Sequence, residues 1–140
     1  MAMLSIGALA TQTGVKIPTI RYYESIGLLP EAPRTESNRR LYDGAVAKRL
    51  RFIRHARDLG FEVEAIRQLL AMADDPARSC HEADALAQAH LADIESKISR
   101  LEALRDEVRH MVARCGQGQV RTCHVIEVLA DHAHCLHETH

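Results

Sequence analysis

Apolar positions recur with helical spacing along most of the chain, so the pattern predicts a succession of helices. Residues 4–11 and 17–25 predict two short helices separated by a turn at Gly14. Ser5 suits the N-cap of the first helix. Pro18 suits the first turn of the second helix, where the missing N–H costs nothing. Two short helices joined by a tight turn are typical of a helix-turn-helix.

A polar loop follows, and then the short basic and apolar run RRLY at residues 39–42, which we interpret as a small β-wing. Asp43 is a good N-cap for a third helix over residues 44–59, and Gly60 closes it. A fourth helix is predicted from residue 62 to residue 73.

Residues 81–114 contain no proline and no glycine and predict one long helix. Its apolar residues recur three or four positions apart, at Leu91, Ile94, Ile98, Leu101, Leu104, Val108, Met111 and then Cys115. Such a helix is about 50 Å long, which exceeds a small domain, so we expect the stripe to pack in a dimeric coiled coil.

The predicted division is therefore a DNA-binding domain at 1–75 and a dimerisation helix at 80–115. A loop and short helix at 116–130 follow, the helix itself spanning residues 124–130, and residues 131–140 form a His-rich, flexible tail.

Composition supports this interpretation. Aromatic residues make up 4% of the chain and hydrophobic residues 46%, which favours helices over strands. Residues 1–60 hold 10 Lys/Arg and 5 Asp/Glu, whereas residues 61–140 hold 8 and 14. A basic first half indicates a polyanionic partner, although ordinary surface charge would give the same count.

The chain shows no signal peptide and no apolar run long enough for a membrane, so we expect a cytoplasmic protein. In that reducing compartment, its four cysteines are metal ligands or redox groups rather than disulfides. No nucleophile–base arrangement stands out, and we expect no enzyme activity.

Several blocks together resemble the MerR family of bacterial transcription activators. They are IGALA at 6–10, TIRYYE at 19–24, GLL at 27–29, Arg34, Asn38, RLY at 40–42 and RHARDLGF at 54–61. The resemblance covers residues 4–130. It implies an all-α fold with a small β-wing, in which a winged helix-turn-helix domain precedes a long antiparallel coiled-coil dimerisation helix. It also implies promoter binding as a homodimer, DNA distortion on effector binding, and engagement of RNA polymerase.

The resemblance places DNA contacts on the second helix, the wing and the third helix. The candidates are Arg21, Tyr23, Arg39, Arg40 and Arg57, with Lys16, Thr19, Arg34 and Tyr42 as weaker ones. Their charges supply phosphate neutralisation. We expect Tyr22 and Leu41 in the core, and Arg54 as a solvated or ion-paired residue.

Cys80, Cys115 and Cys123 are the predicted metal ligands. Cys80 and Cys115 are 35 positions apart, so one chain cannot bring them together. In an antiparallel dimer, Cys80 of one subunit meets Cys115 of the other, and Cys123 can fold back to join them.

Three thiolates select a soft or borderline ion such as Cd²⁺, Pb²⁺, Hg²⁺ or Zn²⁺. Sensors of monovalent copper, silver or gold in this family carry Ser where Cys80 stands, so Cys80 favours a divalent ion. Family zinc sensors tend to carry a His inside the cysteine loop. The loop here has none, which favours cadmium, lead or mercury.

Possible accessory ligands are His81, His124, His132, His134, Cys135 and His137. Four alternatives stay open at this point: a monovalent-metal sensor, a metal-buffering protein, a redox switch and a small-molecule sensor.

Overall fold

The structure is a computed structural model, and it describes residues 3–114 and 118–134. The prediction of a mostly helical chain is confirmed over these residues. The helices are α1 (Ile6–Thr13), α2 (Ile17–Ser25), α3 (Gly44–Asp58), α4 (Val63–Ala73), α5 (His81–Ala113) and α6 (His124–Ala130). Two 3₁₀ turns, Val120–Thr122 and His132–His134, flank α6. No helix of the described ranges is both long enough and apolar enough to cross a membrane.

The predicted helix starts are confirmed by their caps. The hydroxyl of Ser5 accepts a hydrogen bond of 3.1 Å from the backbone N–H of Ala8. The carboxylate of Asp43 accepts one of 3.0 Å from Val46. Helix α1 runs two residues further than predicted, because Gly14 ends it in the left-handed region at φ 72° and donates its N–H to Ala10.

The predicted β-wing is not confirmed as a pair of strands. Over the described residues, the segment between α2 and α3 makes two isolated antiparallel bridges, Leu4 with Tyr42 and Arg34 with Arg40. The pairing of Arg34 with Arg40 does not lengthen into a ladder in either direction. On one side Pro33 has no N–H to donate, and on the other the chain turns through Asn38, at φ 63°.

The chain divides into two units, Met1–Leu86 and Ala87–His140, with the boundary inside α5. The core of the first unit comes from α1 to α4 and the loop before α3. Its members are Leu9, Val15, Ile20, Tyr23, Leu28, Leu29, Ala32, Tyr42, Ala47, Leu50, Ile53, Ala56, Ile66 and Leu70.

One core prediction is wrong. Tyr22 is 53% exposed, whereas its neighbour Tyr23 is buried. The reason is the helical period: Tyr23 lies three residues after the buried Ile20 on the same face of α2, and Tyr22 is turned about 100° away. Leu41, also expected in the core, is half-buried.

Three arginines tie the helices of the first unit together through backbone carbonyls. Arg54 on α3 donates to the carbonyl of Thr13 at 2.6 Å, and Arg49 donates to that of Leu28 at 2.9 Å. Arg67 on α4 donates to the carbonyl of Ile26 at 2.7 Å. These contacts satisfy carbonyls at or just beyond the ends of α1 and α2, where the helices leave acceptors unpaired.

The second unit buries few side chains among its described residues. Its buried described residues are Glu107 and Met111 on α5 and His124 and Val128 on α6. Most of the predicted apolar seam of α5 is exposed, with Leu91, Ile94, Ile98, Leu101 and Val108 between 37% and 64% accessible. We call these five residues the apolar stripe. In a single chain the apolar stripe is exposed to water. The structure of one chain therefore does not confirm the predicted coiled coil.

Candidate DNA interface and metal-ligand residues

One open groove of the first unit gathers most of the predicted phosphate contacts. Arg21 from α2 and Arg34, Arg39 and Arg40 from the following loop line it together. The guanidinium of Arg34 is held by Asn38, whose side-chain oxygen accepts a hydrogen bond of 2.9 Å. Four positive side chains around one groove suit the regularly spaced negative charges of a nucleic acid backbone.

Arg40 is held against α2 by a buried carboxylate. Its Nη1 lies 3.7 Å from Oε1 of Glu24, whose side chain is 6% exposed. The hydroxyl of Tyr42 donates to the same oxygen at 2.6 Å. Burial of Tyr42, and then its hydrogen bond to Glu24, raise the pKa of the phenol to about 12.

Two of the tyrosines predicted to contact DNA are buried in the first unit. Tyr42 is 1% exposed and its hydroxyl is engaged with Glu24, so this side chain is part of the core. Tyr23 is 8% exposed, and its ring packs in the core as well.

A second, shallower surface surrounds the turn between α1 and α2. Lys16, Thr19, Arg54 and Arg57 line it, together with the edge of Tyr23. Arg57 donates to the carbonyl of Phe61 at 2.9 Å, just past the end of its own helix. Arg54 has a backbone partner that the sequence did not reveal, the carbonyl of Thr13.

Cys80 lies in the turn immediately before α5, and its thiol is exposed. Its carbonyl accepts the backbone N–H of Asp84 at 2.9 Å, so the residue is fixed by the first turn of the helix. The adjacent His81 is exposed too. The Cys80 side chain is therefore accessible to a second molecule.

Cys123 is the N-cap residue of α6, and its side chain is half-buried. The next residue, His124, is 9% exposed. Nδ1 of His124 lies 3.7 Å from Oε2 of Glu127, and its Nε2 is buried without a hydrogen-bond partner. The ring meets that of His110 on α5 edge to face, with 5.3 Å between ring centres.

Several predicted ligands cannot be placed. Cys115, Cys135, His137 and the side chain of His134 lie outside the described residues, and His132 is exposed in its 3₁₀ turn. Where the chain is described, no three His, Cys, Asp or Glu side chains are grouped closely enough to hold a metal ion. The convergence of three thiols thus stays a prediction. The donors themselves, two thiols and a buried imidazole nitrogen that lacks a partner, fit a soft or borderline ion.

Two family models match the chain. The model of the MerR helix-turn-helix family regulatory protein matches residues 4–73, and the model of the MerR DNA-binding region matches residues 47–111.

Similar proteins extend this match to most of the chain. Heavy metal-dependent transcription regulator 2 of Rhizobium meliloti is 39% identical, over 91% of this chain and 87% of its own length. The regulator ZntR of Escherichia coli is 38% identical, over 91% of this chain and 92% of its own length. Among solved structures, the regulator PbrR691 of Ralstonia metallidurans, in complex with lead(II), is 39% identical with a TM-score of 0.80, and the match covers 91% of this chain and 99% of that one. The fold, the basic groove and these matches together show that this chain belongs to the MerR family of helix-turn-helix regulatory proteins.

Proposed function

We propose that this chain is a metal-responsive transcriptional regulator. It binds promoter DNA as a homodimer and activates transcription by distorting the DNA when a soft divalent metal ion binds. The observation that carries the proposal is Cys80, an exposed thiol at the start of a 33-residue helix in a chain that resembles heavy-metal regulators.

The metal site belongs to the dimer in this proposal. Cys80 of one subunit joins Cys115 and Cys123 of the other, because a helix of this length separates the two ends by about 50 Å within one chain. The apolar stripe supports it, since burial of such side chains is the main favourable term in subunit association. Two equivalent sites follow from the twofold symmetry.

The choice of metal rests on donor chemistry and on relatives. A third thiolate suits a divalent ion, and the candidates are Cd²⁺, Pb²⁺, Hg²⁺ and Zn²⁺. One relative is named a heavy metal-dependent transcription regulator, and PbrR691 was solved in complex with lead(II). A sensor of monovalent copper, silver or gold is the alternative within the family.

The basic groove supports the DNA-binding half of the proposal. Arg21, Arg39 and Arg40 would bind phosphates, which sets the position of the protein on the duplex. When the thiols of both subunits close on one ion, the angle between the two DNA-binding units changes. Bending and untwisting of a deformable spacer then lets RNA polymerase engage both promoter elements. Action in the reducing cytoplasm keeps the thiolates available.

Promoter-reporter induction across Zn, Cd, Pb, Hg, Cu, Ag and Au salts tests the proposal. Induction by one or more divalent ions is expected, and Cys80→Ser should bind the promoter as tightly as the wild type but lose that induction. Ser96→Ala, at an exposed position in the middle of α5, is the control and should respond normally. Unchanged divalent induction in Cys80→Ser would rule out the shared site.

A metal-buffering protein and a small-molecule sensor are the other candidate functions. A gel shift with the protein's own promoter region distinguishes a regulator from a metal-buffering protein, because a metal buffer would give no specific shift. The four arginines of the groove favour the regulator. Induction by organic ligands with no response to any metal would favour the small-molecule sensor.

A further inference from the structure

The contact between α5 and α6 contains a pair of histidines. His110 lies in the last turns of α5, and His124 is the first residue of α6. Their rings meet at 79° with 5.3 Å between centres. Both residues lie in the second unit, and His124 directly follows the predicted ligand Cys123 in the sequence.

One nitrogen of this pair is buried and unused. Nε2 of His124 has no hydrogen-bond partner although the residue is 9% exposed. Leaving a buried polar atom unpaired costs about 1–3 kcal/mol, so such atoms are rare and call for an explanation. An ion bound at Nε2 would remove the cost.

The other nitrogen is oriented as in many metal sites. Nδ1 faces Oε2 of Glu127 at 3.7 Å, one turn along α6. Metal-bound histidines usually turn one ring nitrogen toward a carboxylate, which fixes the ring and directs the second nitrogen at the metal. The 3.7 Å separation is longer than a hydrogen bond, so Glu127 faces Nδ1 without fixing the ring.

The spacing of the two rings also fits. Two imidazoles that share a tetrahedral ion at metal–nitrogen distances of about 2.0–2.1 Å have ring centres about 5 Å apart. The observed separation is 5.3 Å. The side chains are not yet grouped for metal binding, so His110 or Cys123 must rotate, which side chains do rapidly.

We propose that His124, through Nε2, and His110 supply two nitrogen ligands to a borderline divalent ion of the Zn²⁺ type, with Cys123 and one further thiolate completing a four-coordinate set. The inference rests on the proposed metal-responsive function and deepens it by naming the metal class. A mixed nitrogen and sulfur set suits Zn²⁺ better than a purely sulfur one, which suits the softer ions. The absence of a histidine inside the cysteine loop favoured cadmium, lead or mercury over zinc. A ligand at His124, one residue beyond Cys123, brings zinc back into the choice.

X-ray absorption at the zinc edge of the full-length, zinc-loaded protein tests the proposal, because nitrogen at about 2.0–2.1 Å is distinguishable from sulfur at about 2.3 Å. Nitrogen and sulfur shells are both expected. His124→Gln and His110→Gln should each lose nitrogen scattering and bind Zn²⁺ more than about 100-fold less tightly, because loss of even a supporting residue costs 10–100-fold. Pb²⁺ binding through sulfur should change little. His55→Gln, on the exposed surface of α3, is the matched control and should behave as wild type.

Other outcomes are equally decisive. A zinc spectrum with sulfur alone, or unchanged zinc affinity in both histidine variants, would overturn this inference while leaving the proposed function intact. Metal binding that also survives Cys123→Ser would contradict the thiol site itself. Having two histidine variants guards against one that fails to fold, which circular dichroism identifies.

Discussion

The hydroxyl of Tyr42 donates a hydrogen bond of 2.6 Å to Oε1 of Glu24, a carboxylate that is 6% exposed. Arg40 faces the same oxygen at 3.7 Å. One buried carboxylate thus joins helix α2 to the basic segment that precedes α3. Arg40 lines the groove and Tyr42 lies in the core. Glu24 contacts both, so the same carboxylate holds a candidate phosphate-binding side chain and a core side chain in place.

Ionisation of Tyr42 should destabilise the first unit. Its pKa is raised to about 12 in the folded chain, above the ordinary value of 10.0, so folding favours the neutral phenol. The resulting stability is complete below about pH 10 and is lost as the pH rises toward 12, by on the order of 2 kcal/mol. Urea unfolding from pH 8 to pH 12 measures it.

Tyr42→Phe should flatten that pH dependence and be less stable at neutral pH by about 1 kcal/mol, because it removes one hydrogen bond and leaves Glu24 buried without it. Tyr22→Phe is the control, since Tyr22 is 53% exposed. An unchanged alkaline profile in Tyr42→Phe would contradict the assignment.

Replacement of Arg40 by alanine should weaken DNA binding to every sequence alike. Loss of one phosphate contact lowers the slope of log K against log salt by about 0.9. Fluorescence anisotropy with the promoter and with an unrelated duplex, from 50 to 200 mM salt, measures both effects. Arg51→Ala removes the same charge from the exposed surface of α3 and should change the slope far less. Equal slopes for Arg40→Ala and wild type would remove Arg40 from the interface.

Gly14 should not tolerate alanine. Its φ of 72° is unfavourable for a side chain, and an added Cβ would overlap the guanidinium of Arg54. Gly14→Ala is expected to cost about 1–3 kcal/mol and to disturb the bond from Arg54 to Thr13. Gly44→Ala is the matched control, because nothing lies within 4 Å of its added Cβ and the position is helical. It should be neutral or stabilising by up to about 1 kcal/mol. Thermal denaturation of the two variants decides.

A charge in the apolar stripe should prevent dimer formation. Leu101 is 64% exposed in the single chain, and Leu101→Glu would place a carboxylate where the proposal buries a leucine. Sedimentation equilibrium should show a monomer, or a dimer weakened more than about 100-fold. Ser96→Glu, on the opposite side of α5, should leave the dimer intact. A stable Leu101→Glu dimer would place the interface elsewhere.

Sequence patterns predicted the helices and their caps closely, because these depend on neighbouring residues. Helix α6 spans residues 124–130 as predicted, and Ser5 and Asp43 cap as predicted. The expectation that Tyr22 is in the core was wrong, although the helical period from Ile20 favours Tyr23 for that face of α2.

The candidate site was predictable as a set of residue types but not as a geometry. The proposed convergence of three thiols across a twofold axis leaves no trace in one chain beyond the spacing of the cysteines. The pairing of His110 with His124 arises from the packing of α6 on α5, and the two lie 14 positions apart in the sequence. The lone Nε2 of His124 is equally a property of packing.

Arg49, Arg54 and Arg67 direct their guanidinium groups at backbone carbonyls, whereas Arg21 and Arg39 line the open groove. A lysine keeps the charge but not the planar fork of donors. In a library of single Arg→Lys variants, those at positions 49, 54 and 67 should therefore be depleted among the folded clones. Those at positions 21 and 39 should be retained. Arginines of equal formal charge would thus separate into two classes, those that hold the fold together and those that remain open to change as the target promoter changes.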